Sequence, residues 1–405
     1  MSIFRRTLCV LTITAFTAIT AAAQSTPLRI DYTTTKGVAQ CNYTGITGNQ
    51  ELSELVKQYM SASGWFTLTG GSADYRLTGT ANATTCRFTL TGAGSTYTDS
   101  VSFSSPRDGA RKLVDKVLGR IYADDGIGEM CRSRIAFCVD IAPGKRDIYV
   151  CDITGADIKQ LTDFTSLCVE PTWSPNSSSV AYTKYSRSST DIFETKVANM
   201  ATRRLTSFSG LNAGAAFDPA FKRIAFIASF EKTVNLYMKD LASGTQTRIT
   251  SGPSVEASPT WSPSGNAICY VSNEGGNVPR LFIADLAAKK RTRVKNIEGA
   301  SEAATPDWSK SNKIAFSSKY NGSYKLAVYD VGKGTTEIIT TEPGDWESPS
   351  WAPDSRHIVC ARTLGGKTEL VIVDTMAQAA KTAKIRVLKG DLKMMMPSWS
   401  PGAVK

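Results

Sequence analysis

The chain has 405 residues, of which 41% are hydrophobic, and it carries a formal net charge of +11. This length allows two domains, or one large repeat domain and a small one, and the composition is typical of a soluble protein with a real core. The lysines and arginines are scattered, with no basic block longer than 289-KKR-291. This distribution argues against a nucleic-acid partner, and we interpret the charge as a solvated basic surface.

The first 23 residues have the pattern of a secretion signal. Arg5 and Arg6 precede an apolar run from Leu8 to Ile19, and 21-AAA-23 follows. The run is shorter than the roughly 20 residues that cross a bilayer. We therefore expect cleavage between Ala23 and Gln24, an exported chain and no direct membrane span. Cleavage would remove two arginines and no acids, which lowers the net charge from +11 to +9.

Nine cysteines become eight once Cys9 leaves with the signal. An even number in an oxidising compartment permits disulfides, and the candidate pairs are Cys41 with Cys86 and Cys138 with Cys151. No cluster of cysteine and histidine has the spacing of a metal site. We expect no metal and no cofactor.

Residues 24–130 do not repeat and predict a small α/β domain. Asn49 could cap one helix, and the pair Ser105-Pro106 could begin a second. Between these helices lie four strand-like runs: 65-WFTLTG, 75-YRLTGT, 86-CRFTLT and 97-YTDSVSFS. We expect the helices to cover one face of the resulting sheet.

Residues 131–405 contain an internal repeat with a period of about 44 residues. One apolar strand recurs as 135-IAFCVD, 180-VAYTKY, 224-IAFIAS, 268-ICYVSN, 314-IAFSSK and 358-IVCART. Two further strands follow each copy, and a phrase of the type PxWSP supplies a fourth. Four strands in this period are typical of a propeller blade. The sequence therefore predicts a six-bladed β-propeller after the α/β domain.

The PxWSP phrase carries an aromatic residue that we expect to pack between neighbouring blades. These residues are Trp173, Phe217, Trp261, Trp308, Trp351 and Trp399. The last copy, 397-PSWSP-401, opens no further blade, whereas the first blade has no phrase before it. We therefore predict that the terminal strand completes the first blade and closes the ring.

No motif supports catalysis, and we expect a protein that is not an enzyme. No GxGxxG, P-loop or GxSxG pattern stands in the setting that it requires, which disfavours a hydrolase. The sole histidine, His357, occupies a position held by lysine or arginine in other copies, so we interpret it as a surface turn residue. Aspartates that end the second strand of the repeat are interpreted as turn caps and not as metal ligands. They are Asp152, Asp240, Asp285, Asp330 and Asp374.

The order of all these parts resembles the TolB family of the bacterial Tol–Pal system. Local runs that carry the similarity are 62-ASGWFTLTG, 132-RSRIAFCVD, 235-NLYMKDLASG and the terminal PSWSP. The resemblance implies a monomeric periplasmic adaptor that binds the peptidoglycan-associated lipoprotein Pal through the propeller. It also implies contact with the inner-membrane protein TolA through the mature N-terminus and first domain. Implied roles are outer-membrane integrity, constriction at division and bacteriocin entry.

The loops before the PxWSP strands should converge at one mouth of the channel, which is the predicted partner site. Glutamates are predicted to ring this mouth beside exposed apolar groups, a mixture that suits a protein-binding face. The predicted contact residues are Glu170, Leu211, Asn212, Gly214, Glu256, Ala257, Ser258, Glu302, Trp346, Glu347, Met395 and Met396. In the resembled family, the loops corresponding to 209–214 and 253–258 contact Pal. The alternative function is an exported propeller that binds a glycan or a peptide.

Overall fold

The computed structural model describes residues 37–123, 126–206, 208–230, 233–376, 384–387 and 393–404. The expected cleavage point between Ala23 and Gln24 lies outside these residues, as does the mature N-terminus expected to contact TolA.

The N-terminal domain is a five-stranded sheet with two helices, which confirms the α/β prediction. Its elements are β1 (Ala39–Thr47), α1 (Gln50–Ser63), β2 (Phe66–Leu68), β3 (Tyr75–Ala81), β4 (Thr85–Gly92), β5 (Ser95–Ser102) and α2 (Pro106–Tyr122). The strand order is β2-β1-β3-β4-β5, and β1 runs parallel to both of its neighbours. Both predicted caps are present, because the side chains of Asn49 and Ser105 accept backbone hydrogen bonds from the first turns of their helices. The helices cover one face of the sheet, since Val56 of α1 and Leu113 of α2 share a core cluster with Phe88 of β4.

A 3₁₀ turn at Ile127–Glu129 leads into the β-propeller. Its first strands are β6 (Arg134–Ala142), β7 (Lys145–Asp152), β8 (Lys159–Gln160), β9 (Leu167–Trp173), β10 (Ser179–Tyr185), β11 (Thr190–Lys196) and β12 (Thr202–Arg204). The next are β13 (Asn212–Phe217), β14 (Arg223–Phe230), β15 (Thr233–Asp240), β16 (Gln246–Arg248), β17 (Glu256–Trp261), β18 (Ala267–Ser272), β19 (Arg280–Asp285) and β20 (Lys290–Arg293). The last are β21 (Glu302–Trp308), β22 (Lys313–Tyr320), β23 (Ser323–Asp330), β24 (Thr335–Ile338), β25 (Asp345–Trp351), β26 (His357–Leu364), β27 (Lys367–Asp374), β28 (Lys384–Val387) and β29 (Met394–Trp399).

These strands form antiparallel sheets that follow the sequence repeat. Four sheets have four strands each, in the orders β13 to β16, β17 to β20, β21 to β24 and β25 to β28. The remaining strands form one sheet of order β12-β11-β10-β9-β7-β6-β29, with β8 paired to β7. Within that sheet β7 and β9 meet through a single parallel pair, Arg146 with Leu167.

The C-terminal strand completes the sheet that begins with β6, as predicted. β29 runs antiparallel to β6, with Met394 opposite Val139 and Trp399 opposite Ile135. The indole Nε1 of Trp399 also donates to the hydroxyl of Ser133 at 2.8 Å. The end of the chain therefore covers an edge of β6 that would otherwise lack a partner.

The N-terminal domain packs against turns at one end of the propeller, one after the phrase 349-PSWAP-353 and one after β7. The indole Nε1 of Trp65 donates to Asp354 at 2.9 Å, and the guanidinium of Arg356 lies 4.4 Å from the centre of the Trp65 ring. Arg111 of α2 forms ion pairs with Asp152 at 2.8 Å and Asp157 at 2.9 Å. Both contacts lie at the end of the propeller where the inner strands finish.

His357 lies in this domain junction, so its interpretation as a surface turn residue is wrong. The residue is 4% exposed, and its Nδ1 lies 2.7 Å from the carboxylate of Asp354. Gly64, at the end of α1, approaches the ring so closely that a Cβ there would lie 2.3 Å from Nε2 of His357. Comparison of the repeats could not reveal this burial, because the covering residues belong to the other domain.

Both candidate disulfides are also corrected, since the eight described cysteines are all free. Cys138 lies opposite Ile148 whereas Cys151 lies opposite Ile135, so the two thiols point to opposite faces of the sheet. Cys41 and Cys86 lie on β1 and β4, which are separated by β3. Two strand spacings amount to about 10 Å, which exceeds the Cα separation that a disulfide can bridge.

The interpretation of the strand-ending aspartates as turn caps is confirmed. Asp240 accepts hydrogen bonds from the amides of Ala242 at 3.0 Å and Ser243 at 2.7 Å. Asp285 accepts from two amides in the same way. Asp152 caps its turn through Oδ1 and uses Oδ2 for the domain junction.

Candidate binding site at the channel mouth

A central channel runs between the inner strands of the propeller. Residues of β9, β13, β17, β21, β25 and β29 line a cavity of about 190 Å³. The later residues of the same strands, with their aromatic rings, line a second cavity of about 390 Å³. The two cavities share wall residues, among them Thr260, Asp307 and Ser350. We call the end where the inner strands begin the distal mouth, because the N-terminal domain lies against the other end.

Each inner strand contains a β-bulge at the same place, which directs the strand toward the channel. The bulge residues have a left-handed backbone, with φ of 55° at Glu170, 62° at Gly214, 47° at Ser258, 48° at Thr305, 52° at Ser348 and 47° at Met396. The pairing register with the next strand shifts across these residues in every case. A bulge bends its strand and re-aims the neighbouring side chains, so these residues shape the channel wall.

The tryptophans of the phrase pack between neighbouring sheets, as predicted. Nε1 of Trp173 donates to the carbonyl of Ser398 at 3.0 Å, and Nε1 of Trp261 donates to the carbonyl of Ala216 at 2.9 Å. Each bond joins an inner strand to the inner strand before it in the ring. Trp308 differs, because its Nε1 donates to a side chain in its own turn.

Glu170 and Glu302 are held in place by hydrogen bonds. Glu170 is a bulge residue in the channel wall, and its carboxylate accepts from the amide of Gly214 at 3.0 Å. Glu302 accepts from Lys319 at 2.8 Å and from the hydroxyl of Tyr324 at 2.5 Å. These two hydrogen bonds, the one from Lys319 foremost, lower the pKa of Glu302.

Glu256 and Glu347 have different surroundings. Glu256 is 1% exposed and accepts from the hydroxyl of Ser254 at 2.9 Å, and burial raises its pKa. Glu347 is exposed at the distal mouth. Desolvation of its carboxylate by the surrounding protein, together with the negative charge of the nearby Asp345, raises its pKa. Counted in residues along its own inner strand, each of the four glutamates therefore lies at a different distance from the bulge residue of that strand. This corrects the expectation that they form one ring of like carboxylates.

Trp346 was expected as an exposed apolar group at the mouth, and this expectation is wrong. Its side chain is fully buried, and its Nε1 donates to the carbonyl of Glu342 at 3.2 Å. Asn212 is also fully buried, because its amide nitrogen donates to the carbonyls of Thr190 and Phe208, each at 3.0 Å. The remaining predicted residues line or flank the mouth with partly accessible surface, apart from the buried Gly214. They are Leu211, Ala257, Ser258, Met395 and Met396.

The exposed apolar surface of the distal mouth comes from residues that the sequence analysis did not select. Among the described residues, five of the seven large hydrophobic side chains that are exposed lie at this end. They are Ile141, Tyr185, Val255, Val278 and Leu364. Strand pairing places them there, since Tyr185 lies opposite the start of β9 and Leu364 lies just beyond the start of β25. An apolar residue at the tip of a repeat hairpin is the sequence signal that could have identified four of them, whereas Val255 lies on the loop before β17.

One carboxylate lies in the middle of the channel. Asp307 accepts from the amide of Trp351 at 2.6 Å, and burial raises its pKa. No group of three metal-ligating side chains occurs in the part of the chain that the structure describes. None of the helices among the same residues is long and apolar enough to cross a membrane.

The sheets, channel and small α/β domain define the class of this molecule as a β-propeller protein with an N-terminal accessory domain. Residues 125–403 match the family described as TolB beta propeller domain. The chain therefore belongs to the TolB β-propeller family.

Two curated relatives are each named Tol-Pal system protein TolB. The one from Desulfosudis oleivorans is 31% identical over 85 residues, which cover 21% of this chain and 18% of that protein. The one from Roseobacter denitrificans is 30% identical over 99 residues, which cover 23% of this chain and 22% of that protein. The matched stretches thus span less than a quarter of either relative.

Solved structures show a similar fold over more of the chain. The crystal structure of TolB from Acinetobacter baumannii superposes with a TM-score of 0.78 at 21% identity, covering 91% of this chain and 97% of that one. The structure of a putative TolB from Agrobacterium tumefaciens gives a TM-score of 0.51 at 17% identity, covering 65% of this chain and 91% of that one. At these identities the likeness concerns the fold alone.

Proposed function

We propose that this chain is a periplasmic adaptor of the Tol–Pal system. It binds a Pal-like peptidoglycan-associated lipoprotein at the distal mouth and a TolA-like inner-membrane protein through its N-terminal region. It acts by binding and catalyses no reaction. Membership of the TolB propeller family and the names of the two curated relatives support this proposal.

One observation carries the choice of the distal mouth as the Pal site. Exposed apolar side chains collect at this end, beside the exposed carboxylate of Glu347. The N-terminal domain is anchored at the other end through Trp65 and Arg111 and leaves this surface open. Apolar groups rimmed by polar ones are typical of protein-binding faces.

The proposed contacts fall into two groups. Those that reach the partner directly are Leu211, Ala257, Ser258, Glu302, Glu347, Met395 and Met396, together with the exposed apolar residues of the hairpins. Those that hold the loops from behind are Glu170, Asn212, Gly214, Glu256 and Trp346.

We further propose that the propeller has six blades and occupies residues 131–405, after an N-terminal domain of residues 24–130. In this proposal the eight-stranded sheet is two blades, one of β29, β6, β7 and β8 and one of β9 to β12. The single pair between Arg146 and Leu167 supports a division at that point. An experimental structure with a different number of radial sheets would contradict it.

Residues 1–23 are proposed as a secretion signal that delivers the chain to the periplasm. The supporting observation is the sequence pattern before Gln24. N-terminal sequencing of the protein purified from a periplasmic extract checks this. A first residue other than Gln24 would move the cleavage point, and retention of Met1 would refute export by cleavage.

The test of Pal binding uses the soluble domain of a Pal-like lipoprotein and the purified chain. Leu364→Asp and Glu347→Lys change exposed residues at the distal mouth, and we expect each to weaken binding roughly tenfold or more. Met200→Asp is the matched control, because Met200 is 39% exposed at the opposite end of the propeller. Calorimetric titration measures the affinities. Equal binding by all three variants would refute the distal mouth as the site, and no binding by the unmodified chain would refute the adaptor function.

A further inference from the structure

The strongest unassigned feature is a strip of positive charge on the outer edge of one sheet. All four residues of β20, Lys290–Arg293, are exposed. Five cations lie on this strand, on the turn before it, on the loop after it and at the start of β19. None of the five forms an ion pair among the described residues. They are Arg280, Lys289, Lys290, Arg293 and Lys295. We call this set the basic edge.

Part of the basic edge surrounds a surface cleft. Arg280, Arg293 and Lys295 line a cavity of about 360 Å³ with Val294, Asn296, Ile297 and Ala300, and no acidic side chain lines it. The guanidinium of Arg280 is positioned by one hydrogen bond, from Nη1 to the carbonyl of Ser301 at 2.6 Å. Its remaining donors are available for a ligand, since a guanidinium carries five N–H groups. The cleft therefore offers several converging donors to an anion.

Two other outer strands, β12 and β24, lack such unpaired positive charge. On β12, Arg203 pairs with Glu194 at 2.6 Å and Arg204 pairs with Asp191 at 2.7 Å. On β24 the only charged residue is Glu337. Lysine and arginine commonly protect an exposed strand edge from pairing, but that purpose does not require a cleft without carboxylates.

An exposed apolar side chain beside the basic edge favours a lipid surface over a soluble polyanion. Val278 is 38% exposed two residues before Arg280. Apolar side chains next to cations suit the interface of an anionic bilayer, which supplies both phosphates and hydrocarbon. No aromatic residue that could stack on a nucleic-acid base lines the cleft.

We propose that the basic edge binds the phosphate groups of anionic phospholipids and holds the propeller at a membrane surface. Arg280, Arg293 and Lys295 take a phosphate in the cleft, and Lys289 and Lys290 contact neighbouring headgroups. Binding is electrostatic and weakens as salt is added. This inference does not depend on Pal or TolA.

Co-sedimentation of the purified full chain with vesicles tests the proposal. We expect binding to vesicles that mix phosphatidylglycerol with phosphatidylcholine and none to vesicles of phosphatidylcholine alone. The double variant Arg293→Gln, Lys295→Gln is expected to lower the partition coefficient roughly 30-fold, because each cation near an anionic surface contributes independently. Arg76→Gln, Arg87→Gln is the matched control, since it removes the same charge from exposed positions on the N-terminal domain and should bind as the unmodified chain does.

Several outcomes would overturn the proposal. Equal loss in both double variants would mean that only net charge matters. Failure to bind mixed vesicles, with binding to heparin or to inorganic phosphate instead, would mean that the ligand is a soluble anion. Circular dichroism of both variants establishes that they are folded, and Lys289→Gln, Lys290→Gln provides a second pair within the basic edge that should also bind more weakly.

Discussion

Several bulges of the inner strands place a residue with a side chain in the left-handed backbone conformation, which glycine adopts with less strain. Examples are Ser348, Thr305 and Met396. At the corresponding place in β13 the chain has Gly214. The same bulge is therefore built with and without a Cβ in one molecule. The bulge is kept despite its local strain because it shapes the strand as it enters the channel.

This difference predicts opposite effects of two substitutions. Gly214→Ala should lower the free energy of unfolding by about 1 kcal/mol, because it introduces a Cβ at a φ of 62°. Ser348→Gly should raise it by about 0.5 kcal/mol, since relief of strain exceeds the added freedom of the unfolded chain. Urea denaturation measures both. A loss of equal size in the two variants would contradict the bulge conformation.

At the scale of the element, β29 is a short strand that connects distant parts of the chain. It pairs with β6, and Trp399 bonds to Ser133 from the far end of the repeat region. Trp399 also receives support from the preceding inner strand, because its amide donates to the hydroxyl of Ser350 at 3.0 Å. A six-residue strand thus joins the two ends of the propeller.

Truncation after Met396 should destabilise the whole propeller and not only its last sheet. Loss of the buried Trp399 ring alone would remove about 3–5 kcal/mol, and the exposed edge of β6 would add to this. Thermal unfolding followed by circular dichroism measures the effect. Trp399→Phe keeps an aromatic ring but loses the hydrogen bond from Nε1. Its melting temperature should therefore lie between those of the unmodified and the truncated chain. An unchanged melting temperature after truncation would refute closure by this strand.

For the whole molecule, the contact between the domains depends on ionised aspartates. Burial alone would raise the pKa of Asp152, but hydrogen bonds from Thr154, Tyr59 and Arg111 outweigh burial and lower it. Contacts with His357 likewise lower the pKa of Asp354 against the effect of burial. A lowered pKa means that the stabilisation is present above the usual aspartate pKa of about 3.9 and is lost as the pH falls below it.

The domain junction should therefore weaken on acidification. Between about pH 7 and about pH 3 we expect the melting temperature to fall, and Asp152→Asn should reduce that dependence. At neutral pH the same variant should lose roughly 3 kcal/mol, because Arg111 is 9% exposed and would lose its buried partner. Asp330→Asn is the control, since Asp330 caps a turn away from the junction. The same pH dependence in both variants would contradict the assignment.

Local pattern alone determined much of this protein. The repeat period, the caps at Asn49 and Ser105, the packing of Trp173 and Trp261 and the return of the last strand to β6 were all predicted correctly. These features are predictable because hydrogen bonding and apolar periodicity act over a few residues and recur in every copy.

Only the tertiary structure decided which side chains are accessible. His357 and Trp346 were expected at the surface and are buried, while four of the five exposed apolar groups at the distal mouth lie at hairpins. Likewise, Arg293 and Lys295 are close neighbours in the sequence, but the cleft that they share with Arg280 forms only because β20 pairs with β19. Exposure depends on which distant segments cover a residue. His357 is covered by a helix end some 290 positions earlier in the chain, and no local pattern contains that information.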